Sequence, residues 1–347
     1  VTFALKLREH LAAAALVGCA AASLSCGDRG GRPAEGPARA IEIDLDTGRV
    51  VQGRRVGLLF EIRGRAFPSP LVKAKVNDVP ALFMVDTGAN CHMLTGWFAR
   101  KAGVSASAIP DKGTDHAGKT IETRLAEHVK IGILDWGELP EGPVPVVEVP
   151  DILERLGIGG FVSPQQLATD ELSVVLDLDG GVMHVAKAGS EATLLPGRKL
   201  GDGAARACLD DASPLKNKSY VVRGTADGKA VDLLVDTGAG TTDILSSSGA
   251  GKALITRAGD TKDDVYAASG KVKPRTVKGV KVALGEVTTT LDVSLLPGEK
   301  DEFCPRDGVV GMDLLKHCTL IFGPRSMRGT CRETVQLDAK VTPTSAP

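Results

Sequence analysis

The strongest constraint on this chain is a stretch that it carries twice. Leu233-Leu234-Val235-Asp236-Thr237-Gly238-Ala239 runs from an apolar strand straight into Asp-Thr-Gly. Its earlier twin is Leu82-Phe83-Met84-Val85-Asp86-Thr87-Gly88-Ala89. The offset between the two aspartates is 236 − 86 = 150, and upstream residues 71–81 lie over residues 221–231 without a gap. Each copy reads as a strand, a tight polar turn (Asn77-Asp78, Asp227-Gly228), a second strand and an acid at its end. A repeat of this length means two similar lobes, and a repeated acid raises the prospect that the two acids meet.

The likeness continues downstream. A helix is expected over Leu94 to Ala102, followed by a polar, Gly-bearing stretch around Gly118 and then alternating apolar residues from Ile121 to Ile133. In the second half the polar stretch is Tyr266 to Lys273, around Gly270. Gly157-Ile158-Gly159-Gly160 then matches Gly308-Val309-Val310-Gly311, and the offsets from the acids are nearly equal (157 − 86 = 71 and 308 − 236 = 72). A third Asp-Thr-Gly, at Asp46, sits between two alternating segments and reads as a hairpin turn, so the tripeptide alone carries little meaning.

The full 347 residues have room for two lobes with cores of their own. A net charge of −1 and only 3% aromatic residues give no basic or base-stacking surface for nucleic acid. The wealth of Gly and Pro, with Val, Leu and Ala as the apolar residues, suits short strands and turns. The expected organisation is a signal segment over 1–26, a flexible tether and N-terminal strands over 27–54, lobes over 55–196 and 197–340, and a tail over 341–347. Lys6, Arg8 and the short apolar run from Leu11 to Gly18 have the make-up of an export signal. Leu16-Val17-Gly18-Cys19 resembles a bacterial lipobox, which implies lipid attachment at Cys19, with Cys26 as the alternative. A lipid-anchored, exported monomer is the resulting expectation.

None of the 7 cysteines forms a C-x-x-C pair, and the histidines show no metal spacing, so no metal is expected. Cys208, Cys304, Cys318 and Cys331 could form two disulfides in three connectivities, or remain reduced and buried. Cys91-His92, beside the first acid, reads as core packing rather than a nucleophilic dyad. Asp313 reads as a structural residue at a helix start.

In this context the repeated unit resembles the aspartic peptidases, of the retropepsin-like branch in a two-lobed, single-chain, pepsin-like arrangement. The resemblance spans about residues 60–340. It implies a mostly β fold, each lobe a small barrel-like unit with a short helix, related by pseudo-twofold symmetry. It also implies a catalytic pair, Asp86 and Asp236, supported by Thr87, Gly88, Thr237 and Gly238, with flaps around Gly118 and Gly270. The substrate would be a peptide, with no cofactor. Two carboxylates in contact cannot both ionise cheaply, so one keeps a proton while the other acts as base. Ala89 and Ala239 offer those acids no side-chain hydroxyl, which implies a pH optimum in the mildly acidic to near-neutral range. The first lobe departs from the pattern, because no Asp-Leu follows its Gly-Gly.

Three other readings compete. One is an exported binding protein that keeps this fold without catalysis. Another is an actin-like ATPase, since Asp236-Thr-Gly-Ala-Gly-Thr-Thr-Asp resembles one of its phosphate loops. The third is a P-loop, because residues 113–120 fit G-x-x-x-x-G-K-[ST]. A P-loop needs a buried strand before it and a helix after it, and neither pattern is present.

Overall fold

The computed structural model describes residues 54–332, apart from 109–112, 116–119, 191–195, 202, 261–264 and 268–269, together with the backbone of the short strands Leu5–Lys6, Glu42–Ile43 and Val50–Gln52. Apart from Leu5–Lys6, the expected signal segment lies outside the described residues, as do Cys19, Cys26, Gly118 and the tail over 341–347. Asp46 does too, but the strands on either side of it pair antiparallel, Glu42 with Gln52 and Ile43 with Val50.

The first lobe is built on β1 (Arg65–Val76), β2 (Val79–Val85), β3 (Met93–Thr95), β4 (Thr123–Val129), β5 (Gly142–Val147) and β6 (Ile158–Val162). Its hairpin β7 (Leu172–Asp177) and β8 (Val182–Lys187) follows. The second lobe repeats them as β9 (Asn217–Ala226), β10 (Lys229–Val235), β11 (Asp243–Leu245), β12 (Arg275–Leu284), β13 (Val287–Leu296) and β14 (Gly308–Val310), with the hairpin β15 (Cys318–Phe322) and β16 (Met327–Cys331). Along the sheet the order is β1-β2-β6-β3-β5-β4 in one lobe and β9-β10-β14-β11-β13-β12 in the other. The two lobes therefore share one topology.

Local chemistry accounts for the matching starts. Asn77 and Asp78 have φ of 48° and 59°, and Asp227 and Gly228 have 46° and 77°. Positive φ at both central residues is the two-residue turn whose twist suits a hairpin, and Asn, Asp and Gly tolerate it best. The turns set the register: Val72 faces Phe83 in one hairpin and Val222 faces Leu233 in the other, displaced by the same offset as the acids. Both second strands end fully buried, at Phe83-Met84-Val85 and Leu233-Leu234-Val235. Each is covered on one edge by a parallel strand, β6 or β14, so its end is held below the surface.

The lobes are joined by a six-stranded sheet in which β7 pairs antiparallel with β15, Val174 facing Phe322 and Asp177 facing Thr319. Val174, Leu176, Met183, Val185, Leu320 and Phe322 from this sheet belong to one apolar core that runs through both lobes. The expected helix over Leu94 to Ala102 is shorter, Gly96–Lys101 (α1), because Leu94 and Thr95 extend a strand that pairs with β5 and β6. The four second-lobe cysteines are oxidised, Cys208 to Cys304 and Cys318 to Cys331.

Candidate active site

β2 and β10 deliver Asp86 and Asp236 to a common centre. Each acid's amide ends the strand ladder, Asp86 N–H donating to Val162 O (2.9 Å) and Asp236 N–H to Val310 O (3.1 Å). The chain then turns so that one carboxylate oxygen accepts two amides. Asp86 Oδ1 accepts from Gly88 (2.8 Å) and Ala89 (3.1 Å), and Asp236 Oδ1 accepts from Gly238 (2.8 Å) and Ala239 (3.1 Å). The two turns have the same bond lengths.

The threonines bind the lobes to each other. Thr87 Oγ1 donates to Val235 O (2.8 Å) and accepts from Thr237 N–H (3.0 Å). Thr237 Oγ1 donates to Val85 O (2.6 Å) and accepts from Thr87 N–H (3.1 Å). Ser69 Oγ also reaches across, donating to Gly238 O (3.2 Å). Glycine is required next to each threonine. A Cβ on Gly88 would lie 2.4 Å from Asp236 Cγ, and one on Gly238 would lie 2.7 Å from Asp86 Cγ. The same numbers show that each carboxyl lies against the opposite turn.

Both acids are wholly buried, and their outer oxygens, Asp86 Oδ2 and Asp236 Oδ2, receive no amide or hydroxyl donor among the described residues. Burial pushes Asp86 up to about 6, while the Ala89 and Gly88 amides pull it back. Asp236 is also raised, by burial first and then by the charge of Asp86 beside it. Such a pair binds and releases its protons as a unit. Sequence reasoning missed one neighbour: Arg306 is buried, lies 3.4 Å from Asp301 and places its charge within reach of Asp236. In the strand register its first-lobe counterpart is Gly157, because the extra residue of β6 lies between Ile158 and Gly160.

Beneath the turns the lobes diverge. In the second, Thr242 Oγ1 accepts from Gly311 N–H (3.2 Å) and donates to Asp313 Oδ1 (2.8 Å), while Thr242 N–H donates to Asp313 Oδ2 (2.9 Å). Asp313, in α2 (Met312–Leu315), is thus structural, as expected. In the first lobe the register corrects the sequence alignment. Gly160 faces Phe83 as Gly308 faces Leu233, and Val162 faces Val85 as Val310 faces Val235. Gly160, not Gly157, is therefore the counterpart of Gly308, displaced by an irregularity between Ile158 and Gly160. A Cβ on Gly160 would meet Met93 O at 2.4 Å, and one on Gly308 would meet Asp243 O at 2.1 Å, the same close approach in both lobes.

With the register corrected, Ser163, Pro164 and Gln165 occupy the places of Gly311, Met312 and Asp313, and His92 that of Thr242. Ser163 N–H donates to His92 Nδ1 (3.1 Å), just as Gly311 N–H donates to Thr242 Oγ1. Burial lowers His92 to about 4 and raises the buried thiol of Cys91 to about 12. A neutral ring held by a backbone amide beside an inert thiol is packing, not a nucleophilic pair.

Short hairpins form in the two stretches read from the sequence as flaps. Gly113–Thr114 pairs with Thr120–Ile121, with Gly118 outside the described residues between them. Val265–Ala267 pairs with Gly270–Val272, and Gly270 has φ of 123° with open space where a Cβ would be. A strand begins at Thr120, where a P-loop needs a helix. Among the described residues no three His, Cys, Asp or Glu side chains are grouped to hold a metal, and no helix is long and apolar enough to cross a membrane. A 790 Å³ cavity opens elsewhere, on the inter-lobe sheet beside Asp177, His184 and His317, and contains no residue of the acid-bearing turns.

Comparison with known families follows the repeat. Residues 72–162 match the family model described as aspartyl protease, and residues 222–317 match the one described as gag-polyprotein putative aspartyl protease. The two matches begin at Val72 and Val222, the same offset that separates the acids. No curated protein matches the chain. With an aspartyl protease unit recognised in each lobe of a mostly β, two-lobed fold, the chain belongs to the retropepsin-like aspartic peptidases.

Proposed function

We propose that Asp86 and Asp236 form one catalytic dyad that hydrolyses peptide bonds with a water molecule as nucleophile. The observation that carries this reading is the reciprocal threonine bracket, which brings two equivalent acid turns into contact and leaves one unbonded oxygen on each. Burial and mutual repulsion hold one proton on the pair. The ionised carboxylate takes a proton from water as it attacks the carbonyl carbon. The protonated one gives its proton to the carbonyl oxygen, forming a tetrahedral diol. The first acid then gives its new proton to the amide nitrogen while the other carboxylate takes a proton from a diol hydroxyl, which breaks the C–N bond and returns the pair to its starting state. The elevated acids favour an optimum in the mildly acidic to near-neutral range. The hairpins around Gly118 and Gly270 would close over the peptide and exclude water.

Export is part of the same proposal. Two disulfides support an oxidising compartment outside the cytoplasm, and attachment through a lipid on Cys19 is the proposed anchor. Mass spectrometry of the mature N-terminus tests this; an unmodified Cys19 rejects the anchor.

The decisive experiment is cleavage of a fluorogenic peptide library by the parent and by the Asp86→Asn, Asp236→Asn and Asp46→Asn variants. The first two should lose several orders of magnitude in kcat/KM with an unchanged fold, and the third should match the parent. Turnover that survives Asp86→Asn or Asp236→Asn rejects the dyad. A folded parent that binds peptides without cleaving any supports the alternative of a silent binding protein.

A further inference from the structure

We infer that Gln165 is a positioning residue for Asp86, its side-chain amide replacing a backbone donor that the first lobe has lost. The inference rests on the dyad reading above.

In the second lobe Met312 N–H donates to Ala239 O (2.8 Å), closing the acid-bearing turn from below. The equivalent residue in the first lobe is Pro164, which has no N–H. Ala89 O is left without its backbone donor in a buried turn, and a buried carbonyl without a partner is costly. Gln165 Nε2 supplies the bond at 2.7 Å. The same amide group lies 3.1 Å from Thr87 O and 3.2 Å from Lys218 O of the second lobe, and Gln165 is wholly buried. The aspartate at the equivalent position, Asp313, cannot donate when ionised and serves instead as an acceptor for Thr242. Pro164 and Gln165 are therefore a matched pair, one removing a donor and the other restoring it.

The link to Asp86 is one peptide plane. Thr87 C=O and Gly88 N–H belong to the same rigid unit and point in opposite directions. Gln165 holds the carbonyl end, and the amide end donates to Asp86 Oδ1. Ala89, the other amide donor to Oδ1, is held through its own carbonyl. Loss of the glutamine donor frees both amides that stabilise the charged form of Asp86. The acid limb of the pH–rate profile should then move upward.

The test compares Gln165→Leu and the near-isosteric Gln165→Glu with Pro164→Met/Gln165→Leu, which returns a backbone N–H to Ala89 O. Steady-state kinetics from strongly acid to neutral pH should show kcat roughly 100-fold lower in both single variants, with KM little changed and the acid limb displaced upward. The double variant should recover most of kcat and restore the limb. Thermal melts identify any variant that has failed to fold, and Gln165→Glu is then read in place of Gln165→Leu. Parent-like kcat in folded Gln165→Leu overturns the inference. So does a loss that leaves the acid limb in place or that Pro164→Met does not relieve. The dyad itself is judged separately by Asp86→Asn, whose activity does not depend on what Gln165 does.

Discussion

In the bonds of the acids and threonines of the two Asp-Thr-Gly turns the lobes agree, but one layer lower they do not. Oδ1 of each acid accepts two amides at 2.8 and 3.1 Å, and each threonine makes the same pair of bonds across the interface. Underneath, the second lobe uses Thr242, Met312 and Asp313 where the first uses His92, Pro164 and Gln165. Two pairings survive the exchange, the strand-end amide on His92 or Thr242 and the donor to the Ala89 or Ala239 carbonyl, while the Thr242–Asp313 bonds have no first-lobe counterpart and Gln165 Oε1 has no partner among the described residues. The constraint on this layer is satisfaction of buried polar groups, and several side chains can meet it. The constraint on the upper layer is the identity of an acid, a hydroxyl and a residue with no Cβ. The lobes differ again in covalent ties, since both disulfides lie in the second and the first has only the buried free thiol of Cys91.

The largest expected effect tests the equivalence of the upper layer. Gly88→Ala and Gly238→Ala each place a methyl against the opposite carboxyl, at 2.4 and 2.7 Å from its carbon. Both should lower kcat/KM by several orders of magnitude and to a similar extent. A loss in one lobe only, with both proteins folded by circular dichroism, breaks the symmetry described here.

Next comes the covalent asymmetry. Chain-entropy arguments make the Cys208–Cys304 link, with a separation of 96, worth about 4.5 kcal/mol and the Cys318–Cys331 link, with 13, about 3 kcal/mol. Replacing each pair by serine and measuring urea unfolding should reproduce that order. Hydrogen exchange should show the second lobe opening first. If the shorter link proves more important, its place in the inter-lobe sheet outweighs loop length.

A smaller effect separates His92 from Thr242. A histidine held at about 4 in the fold and near 6.5 when unfolded contributes stability above pH 6.5 that falls away as pH drops toward 4, by about 3 kcal/mol. The raised acids act in the opposite sense: their folded values lie above the unfolded ones, so they cost stability as pH rises, for Asp86 through the window from 3.8 to about 6, and return it as pH falls. His92→Gln should therefore remove an acid-side loss and leave a protein whose stability increases on mild acidification. Denaturant midpoints measured from mildly acid to neutral pH check this, and parallel curves for parent and variant would falsify the burial argument for His92.

The smallest effect follows from the same balance. Asp236→Asn removes one of two buried acids that must share a proton at neutral pH, and with it the cost of keeping that proton bound, so the inactive variant should melt a few degrees higher, at roughly 2–4 °C per kcal/mol. Calorimetry showing a lower melting point would mean that the side-chain amide introduced by this substitution clashes with the donors that Asp236 accepts.

Much of this arrangement follows from local sequence alone. Two positive-φ turns, two apolar strands and two Asp-Thr-Gly-Ala runs depend on a few neighbouring residues, and φ, ψ and alternation act over that range. Their recurrence at one constant offset therefore exposed the two lobes and the paired acids. The tertiary structure decided the rest. It placed Gly160 rather than Gly157 opposite Phe83, because an irregularity in β6 consumes residues that a spacing count cannot assign. It chose one cysteine pairing of three, since connectivity depends on which strands become neighbours. It also put Gln165 and Gln166 where the missing Asp-Leu was sought, with Pro164 in the place of Met312, a substitution invisible in one dimension. A hydrogen bond needs a donor at the right point in space, and no particular residue name.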